Sequence, residues 1–329
     1  MTFATTRLLA ATTALGLALG GAAAAQAETW DMALAYAASN YHSELAAEFA
    51  AEVTERTGGE LEIVTHASGS LFPGGEIYGA VRRGLVPIGE RLISALGNED
   101  PLFEIDSIPF LATSFEDART LYDVSRPALE ELLAEQGMML LYSVPWPPQG
   151  LYMVSPVESV ADMEGVRFRA YNAATSRLAE LMGAVPTQIE AAELSQAFAT
   201  GVAESMISSG STGYDRQIWE HVDYWYDIQA WLPRNMVIVN QDAWDGLSPE
   251  IQEIVLDAAA SAETRGWETA QELSGWYAEQ LAENGMTVEP PSDQLAADFA
   301  AMGEVMTEEW LASAGEAGAA IVEAYRSAR

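Results

Sequence analysis

The spacing of apolar residues along the chain switches between a helical period and a strand period, which predicts alternating helices and strands. In residues 43–57 the side chains Leu45, Phe49 and Val53 recur every four residues, which is typical of a helix with one buried face. In residues 61–65 every second side chain faces the same side, which is typical of a strand. Because this rhythm repeats, we expect an α/β protein with mostly parallel sheets.

The same two periods place the remaining elements. Further strands are predicted at residues 30–36, 86–92, 138–144, 151–154, 166–170, 185–189 and 204–208. Further helices are predicted at residues 76–83, 115–135, 173–182, 191–199, 249–282 and 296–324. We expect Pro127 to break its helix, and residues 208–213 to form a polar loop.

Prolines suggest where one lobe ends. Three prolines and a glycine fall within residues 145–150, which makes this segment the best lobe boundary. The predicted division is lobe I at 28–146, lobe II at 147–233, a return to lobe I with the start of a long helix at 234–265, and the helix end with C-terminal helices packing on lobe II or its back at 266–329.

The long helix has a clear start. Ser248 is placed to cap it and Pro249 occupies its first position. No proline follows before Pro290, so a helix over 249–282, even if kinked at Gly266, would be roughly 50 Å long. We therefore expect it to run across both lobes.

The N-terminal segment resembles a secretion signal. Arg7 is the only charge before Glu28, residues 8–19 are mostly apolar, and Ala25-Gln26-Ala27 is a small-x-small cleavage sequence. The alternative is a membrane anchor, but the apolar run is shorter than the ~20 residues that span a bilayer. The sequence therefore predicts an exported protein cleaved after Ala27.

Composition excludes several functions. The chain has no cysteine, so disulfides, thiol catalysis and lipid attachment to an N-terminal cysteine are excluded. Its net charge is −34 and all fifteen basic residues are arginine, which argues against nucleic acid and anionic lipid as partners. The acidity has two explanations, a cation-attracting surface or adaptation to high salt; the spread of acids along the whole chain favours the second.

Residues 163–175 hold the strongest candidate for binding chemistry. After Gly165, the apolar Val166 and Phe168 alternate with basic residues as in a strand, and Asn172 can cap the helix that follows. Arg169 thus lies at the carboxyl end of a strand, just before a helix N-terminus. Open α/β sheets bind ligands at this place, and both the guanidinium and the helix end favour an anion.

The segment Gly165-x-Arg167-x-Arg169-x-x-Asn172-Ala-Ala-Thr175 resembles the signature of substrate-binding subunits of tripartite ATP-independent periplasmic (TRAP) transporters, the DctP family. The resemblance implies a periplasmic binding protein fold of the type II kind: two α/β lobes closing over one solute, braced by a long helix. It implies that Arg169 grips the solute carboxylate, that membrane permease subunits are the partners, and that the protein is a monomer without a cofactor.

The resemblance covers most of the mature chain and has three departures. Many members carry a second arginine where the chain enters lobe II, but this chain has Gln149-Gly150-Leu151 there. Ser208 and Ser209 stand where an asparagine is frequent, and Pro87 replaces an acid. These differences argue against a sugar acid of the sialic type.

Eight residues are predicted to contact the ligand, and each has a structural alternative. They are Arg169, Asn172, Glu90, Tyr36, Tyr41, Trp146, Gln149 and Ser208. Arg169 would bind a carboxylate, or form an ion pair with Glu164 or Asp162. Asn172 would bind the same group or only cap its helix, and the aromatic residues would line the site or pack in the core.

Glu90 separates two ligand hypotheses. If it faces the cleft, it suits the ammonium group of a small amine, amino alcohol or zwitterion; the alternative is an ion pair with a nearby arginine or with Arg169. The lead hypothesis is a small organic acid held by Arg169, and the amine or zwitterion is the alternative within the same class.

Catalysis has little support in the sequence. The three histidines are far apart without metal-ligand spacing, and no nucleophile elbow, phosphate loop or dinucleotide fingerprint occurs. We predict no metal and no enzymatic activity. The alternative of another class is an exported enzyme that uses clustered carboxylates, and a sensory binding protein is a third.

Overall fold

The computed structural model describes residues 27–329, so the predicted signal peptide, apart from its last residue Ala27, lies outside the described residues. The strands of the described part are β1 Glu28–Ala33, β2 Leu61–His66, β3 Ile88–Leu92, β4 Met138–Pro145, β5 Gln149–Met153, β6 Arg167–Ala170, β7 Val185–Gln188, β8 Ser205–Ser209, β9 Tyr224–Tyr226, β10 Arg234–Asn240 and β11 Thr287–Glu289. The α-helices are α1 Tyr41–Arg56, α2 Ile77–Arg82, α3 Phe115–Glu135, α4 Ala173–Leu181, α5 Leu194–Ala199, α6 Gly210–Asp215, α7 Gln241–Gly246, α8 Pro249–Glu283 and α9 Asp293–Ala328.

The strands form two separate sheets. The first has the order β2-β1-β3-β10-β4, and the second has the order β11-β9-β5-β8-β6-β7. In the first sheet β1 is parallel to β2 and β3, whereas β10 is antiparallel to both of its neighbours because it returns from the second lobe. The second sheet is also mixed. The sheets are therefore less uniformly parallel than the strand-helix rhythm predicts.

Each sheet has its own apolar core. The first core gathers around Trp30, Phe49 and Leu61, which are fully buried. The second gathers around Leu151 and Phe168, equally buried. Two α/β lobes, each built on one sheet with its own apolar core, confirm the two-lobed fold class.

The chain passes between the sheets from β4 to β5 and again from β9 to β10. The exact lobe boundaries stay a prediction. One packing expectation needs correction: only the first part of α9 packs on the second core, through Phe299 and Met302. Past the non-helical Gly315, Ile321 and Tyr325 pack against the first lobe instead, because Ile105, Leu121 and their neighbours offer an apolar face there.

Two local predictions are wrong. Helix α3 continues through Pro127, since buried side chains on both sides, among them Tyr122 and Leu129, fix the helix in place. The predicted polar loop contains helix α6, because the hydroxyl of Ser209 accepts a hydrogen bond from Thr212 N and caps it. Serines in a short segment favour a cap as well as a loop.

Helix α8 confirms the predicted brace. It has 35 residues, and the hydroxyl of Ser248 caps it by accepting from Ile251 N. It packs against α1 and β4 beside the first sheet and against α6 and β11 of the second. Gly266 lies inside the helix without a kink. Its lack of a side chain lets α8 pack close to β4, since a Cβ there would lie 2.5 Å from Cγ2 of Val144.

Substituting Gly266 tests this contact. Gly266→Ala is expected to lower the free energy of unfolding by about 1–3 kcal/mol, because the added methyl forces α8 away from β4. Gly275→Ala in the same helix is the control, since a Cβ there meets nothing within 4 Å. It should stabilise the protein by about 0.5–1 kcal/mol through helix propensity alone. Urea unfolding of both variants measures the difference, and equal effects would contradict the packing argument.

Candidate functional site

A cleft of about 480 Å³ lies between the two lobes. Side chains of both sheets and of the crossings between them line it. They are Tyr36, Arg91, Leu92, Ala95, Trp146, Gln149, Arg169, Tyr171, Glu190, Ala191, Ser208, Ser209, Thr212 and Pro233. The wall is largely apolar and aromatic, with a few charged and hydroxyl groups, which is the usual make-up of a small-molecule site.

Arg169 extends into this cleft from the carboxyl end of β6. The residue is 3% exposed, and its Nε donates to the carbonyl of Ile189 at 2.9 Å. The guanidinium also stacks 5.2 Å from the ring centre of Tyr171. Within residues 27–329 it forms no ion pair, so the alternative role, a pairing with Glu164 or Asp162, does not occur. Burial lowers the pKa of Arg169 to about 10, which leaves it charged at neutral pH.

A second guanidinium comes from the first lobe. Arg91, at the end of β3, is 7% exposed, and its Nη2 lies 3.5 Å from Oε1 of Glu190 in the second lobe. Its Nε is buried without a hydrogen-bond partner among the described residues. The cleft therefore contains two cations and one carboxylate.

Aromatic and amide side chains complete the wall. Tyr36 and Trp146 pack edge to face with their ring centres 4.8 Å apart. The hydroxyl of Tyr171 donates to Gln149 Oε1 at 3.4 Å and accepts from Trp231 Nε1 at 3.1 Å. Burial raises the pKa of both Tyr36 and Tyr171, so both keep their protons at neutral pH. These contacts fix flat surfaces on either side of the cleft.

Glu90 lies beneath the wall rather than in it. Its Oε1 accepts from Asn235 Nδ2 at 3.1 Å and lies 3.2 Å from Nδ1 of His42, whose pKa is lowered by burial although the carboxylate opposes this. The alternative role for Glu90, an ion pair with an arginine, does not occur among the described residues. Asn235 in turn accepts from the indole Nε1 of Trp146 at 2.8 Å, so Glu90 reaches the cleft only through a second side chain.

Asn172 and Tyr41 make mainly structural contacts. Asn172 caps α4 by accepting from Thr175 N at 2.8 Å, and its Nδ2 donates across the lobes to Ser94 Oγ at 2.9 Å. Tyr41 is buried, and its hydroxyl donates to the carbonyl of Pro145. Among the eight predicted residues, the structure brings Tyr36, Trp146, Gln149, Arg169 and Ser208 to the cleft. A ligand role for Asn172, Tyr41 or Glu90 stays a prediction.

The sequence prediction misses five polar residues of the cleft, which are Arg91, Tyr171, Glu190, Ser209 and Thr212. Arg91 is adjacent to Glu90 on β3, and it is Arg91 whose side chain lines the cleft. Tyr171 follows Arg169 by two residues and could have been found from the same alternation. Glu190 and Thr212 follow strands β7 and β8, and the carboxyl ends of strands are the signal that points to them.

A further contact joins the lobes outside the cleft. The carboxylate of Asp215, at the end of α6, accepts a hydrogen bond of 2.7 Å from Nδ2 of Asn40, which precedes α1. Burial raises the pKa of Asp215 to about 6. At pH values between the two pKa values, the native state therefore keeps this proton. The unfolded chain, with an aspartate pKa of about 4, has already lost it.

The raised pKa of Asp215 makes stability depend on pH. Between about pH 4 and 6 the native state binds more protons than the unfolded state, so this residue lowers stability as pH rises through that window. Asp215→Asn keeps an acceptor for Asn40 and removes the charge. It should raise the free energy of unfolding at pH 7 by about 1–2 kcal/mol and have little effect below pH 4. The exposed Asp245→Asn is the control; denaturant unfolding at several pH values should show no such trend for it.

The described part of the chain contains neither a candidate metal site nor a candidate membrane-spanning helix. Residues 27–329 contain no cluster of three metal-ligating side chains, and none of their helices is long and apolar enough to cross a bilayer. The guanidinium, hydroxyl and amide groups of the cleft are suited to holding a small anion.

Comparison with known proteins identifies the family. The family model of bacterial extracellular solute-binding protein family 7 (DctP) matches residues 33–313. The chain belongs to this family. It is a substrate-binding subunit of the DctP type, and such TRAP proteins bind small-molecule solutes and work with membrane permease components.

The chain is similar to several solute-binding proteins whose ligands are named. A TRAP solute-binding protein from a marine metagenome, crystallised with co-purified pyroglutamate for which it is specific, is 49% identical, covers 92% of this chain and 99% of its own, and has a TM-score of 0.90. A Bordetella pertussis extracytoplasmic solute receptor, DctP7, which binds pyroglutamic acid, is 47% identical over 91% of this chain and 100% of its own, with the same TM-score. The ectoine/5-hydroxyectoine-binding periplasmic protein UehA of Ruegeria pomeroyi is 24% identical over 96% of this chain and 95% of its own length.

Proposed function

We propose that this DctP-family protein captures pyroglutamate, a small cyclic monocarboxylate, between its lobes in the periplasm and delivers it as a monomer to its permease. The observation that carries the proposal is the guanidinium of Arg169, which is buried at the cleft and has one hydrogen bond, through Nε, among the described residues. Its two terminal nitrogens are left to form a bidentate pair with a carboxylate.

The charge of the cleft supports a singly charged ligand. Arg91 and Arg169 carry one positive charge each, and Glu190 carries one negative charge. The excess of one positive charge matches the single carboxylate of pyroglutamate.

The remaining groups of pyroglutamate also find chemical partners. Its lactam ring carries one N–H donor and one carbonyl acceptor, and the hydroxyls of Ser208 and Thr212 and the amide of Gln149 offer both functions in the cleft. Tyr36 and Trp146 give the flat ring an aromatic wall. Three receptors that are 45–49% identical to this chain bind pyroglutamate or pyroglutamic acid, which supports the same ligand here.

A zwitterion is the second candidate. The relatives from Ruegeria pomeroyi and Halomonas elongata, at 24% and 23% identity, bind ectoine, which carries a carboxylate and a cationic ring. Glu190 lies in the cleft and is the carboxylate that suits such a cation. This candidate no longer depends on Glu90, which does not line the cleft.

Identification of the bound ligand tests the proposal. The purified protein is denatured, the released compounds are identified by mass spectrometry, and titration calorimetry is run with pyroglutamate and ectoine. We expect unchanged pyroglutamate and a Kd about tenfold or more below that for ectoine. Tighter binding of ectoine would overturn the choice of ligand, and conversion of bound pyroglutamate to another compound would favour the exported-enzyme hypothesis.

A further inference from the structure

The inner cleft shares one wall with an outer pocket of about 730 Å³. The side chains common to both are Tyr36, Arg91, Glu190 and Ala191. Two of these four are charged, and they belong to opposite lobes. The ion pair of Arg91 and Glu190 therefore stands between the binding cleft and the outer pocket.

The two partners of this ion pair differ in exposure. The side chain of Arg91 is 9% exposed, whereas that of Glu190 is 51% exposed. The loop at Gly74 packs close to both, since a Cβ on Gly74 would lie 3.2 Å from Arg91 Nη1 and 3.7 Å from Glu190 Oε2. The pair thus fills the space between the Gly74 loop and the segment after β7, with its carboxylate toward solvent.

Adjacent residues of one segment contact both guanidinium groups. The carbonyl of Ile189 accepts from Arg169 Nε at 2.9 Å, and the next side chain, Glu190, pairs with Arg91. Among the described residues Arg169 makes no ion pair and contacts two neutral groups, the carbonyl of Ile189 and the ring of Tyr171. Arg91 receives a carboxylate, so its charge is balanced by the protein.

We propose that Glu190 is the specificity-determining residue that restricts the cleft to monocarboxylates, because it balances Arg91 and leaves Arg169 as the one uncompensated cation among the charged side chains that line the cleft. This inference rests on the proposed function, in which Arg169 holds the single carboxylate of the ligand. The role of Glu190 explains in addition why a ligand with a second carboxylate is rejected. A dicarboxylate would bring its second negative charge next to Glu190, and like charges brought together weaken binding.

Removing the charge of Glu190 should reverse this selection. In Glu190→Gln the guanidinium of Arg91 has lost its carboxylate partner. It can then bind a second carboxylate of the ligand. Glu193→Gln is the matched control: it removes the same formal charge from the outer pocket, but Glu193 does not line the inner cleft. Both side chains face solvent in part, so both variants should fold, which thermal unfolding checks.

The experiment compares pyroglutamate with glutarate, a dicarboxylate with the same number of carbon atoms, by titration calorimetry at low and high salt. For Glu190→Gln we expect the ratio of the glutarate Kd to the pyroglutamate Kd to fall about tenfold or more at low salt. The fall should shrink in 1 M salt, since Glu190 is half exposed. For Glu193→Gln the ratio should stay within about twofold of the wild type.

The outcomes separate this inference from the proposed function. If the wild type binds pyroglutamate but the ratio is unchanged in Glu190→Gln, or falls equally in Glu193→Gln, the selectivity role is overturned while the function stands. If the wild type does not bind pyroglutamate but Glu190→Gln gains glutarate binding, the ligand is wrong while the role of Glu190 stands. If neither compound binds any of the three proteins, both are overturned.

Discussion

Arg169→Met is expected to weaken pyroglutamate binding by about 100- to 1000-fold, a loss of about 3–4 kcal/mol. Arg169 is 3% exposed and carries the charge that the ligand carboxylate would meet. Without it, the carboxylate would enter a largely apolar cleft whose other guanidinium is already paired with Glu190. Titration calorimetry of the wild type and the variant measures this loss.

The same substitution should not destabilise the empty protein. The buried guanidinium has one hydrogen bond within the described chain and no ion pair, so its desolvation is poorly compensated. Methionine has a similar length and no such cost. We expect the unfolding temperature of the ligand-free Arg169→Met protein to equal or exceed that of the wild type, and the added stability from pyroglutamate to disappear.

Two further variants at β6 make the test specific. Arg167→Met removes an arginine from the same strand, but that side chain is exposed and pairs with Glu204, so the Kd should change by less than about twofold. Arg169→Lys keeps the charge without the planar pair of donors and should fall between the wild type and Arg169→Met. If Arg169→Met binds pyroglutamate as the wild type does, the carboxylate is held elsewhere and the proposed binding mode is wrong.

Most elements of this fold can be predicted from the sequence because their signals are local. The four-residue spacing of Leu45, Phe49 and Val53 and the serine-proline start of α8 predict helices that the structure confirms. The strand before Asn172 is confirmed in the same way. What local patterns cannot give is long-range packing. The antiparallel position of β10 and the return of α9 to the first lobe depend on contacts between residues far apart in sequence.

The candidate site shows the same limit. Arg169 was predicted because a motif, a strand end and a helix start coincide at one place in the chain. Local patterns do not predict Arg91 and Glu190, because these two residues pair only when β3 of one lobe meets the end of β7 of the other. Glu90 was predicted in place of its neighbour because strand alternation gives two faces and does not say which one meets the second lobe.

Glu263→Ala is expected to lower the free energy of unfolding by about 2–3 kcal/mol. This carboxylate of α8 is 7% exposed and joins three elements: its Oε2 accepts from Tyr122 Oη of α3 at 2.7 Å and from the backbone N–H of Ser143 in β4 at 3.0 Å. Arg126 and Arg119 approach it to 3.3 and 3.7 Å. The substitution leaves a buried hydroxyl and a buried N–H without their acceptor, and both groups then carry their desolvation cost. The two arginines are partly exposed, so water compensates for their lost partner, which sets the loss at the lower end for a buried ion pair.

The controls for Glu263 separate the contact from the composition of the helix. Glu272→Ala changes an exposed glutamate of the same helix α8 and should alter stability by no more than about 0.5 kcal/mol. Glu263→Gln keeps an oxygen for Ser143 N and should fall between the two alanine variants. Urea unfolding at neutral pH ranks all three, and a double-mutant cycle with Tyr122→Phe isolates the tyrosine contact. Equal stability of Glu263→Ala and Glu272→Ala would show that this network does not fasten α8 to the first lobe, and that apolar packing along α1 and β4 suffices to hold the brace.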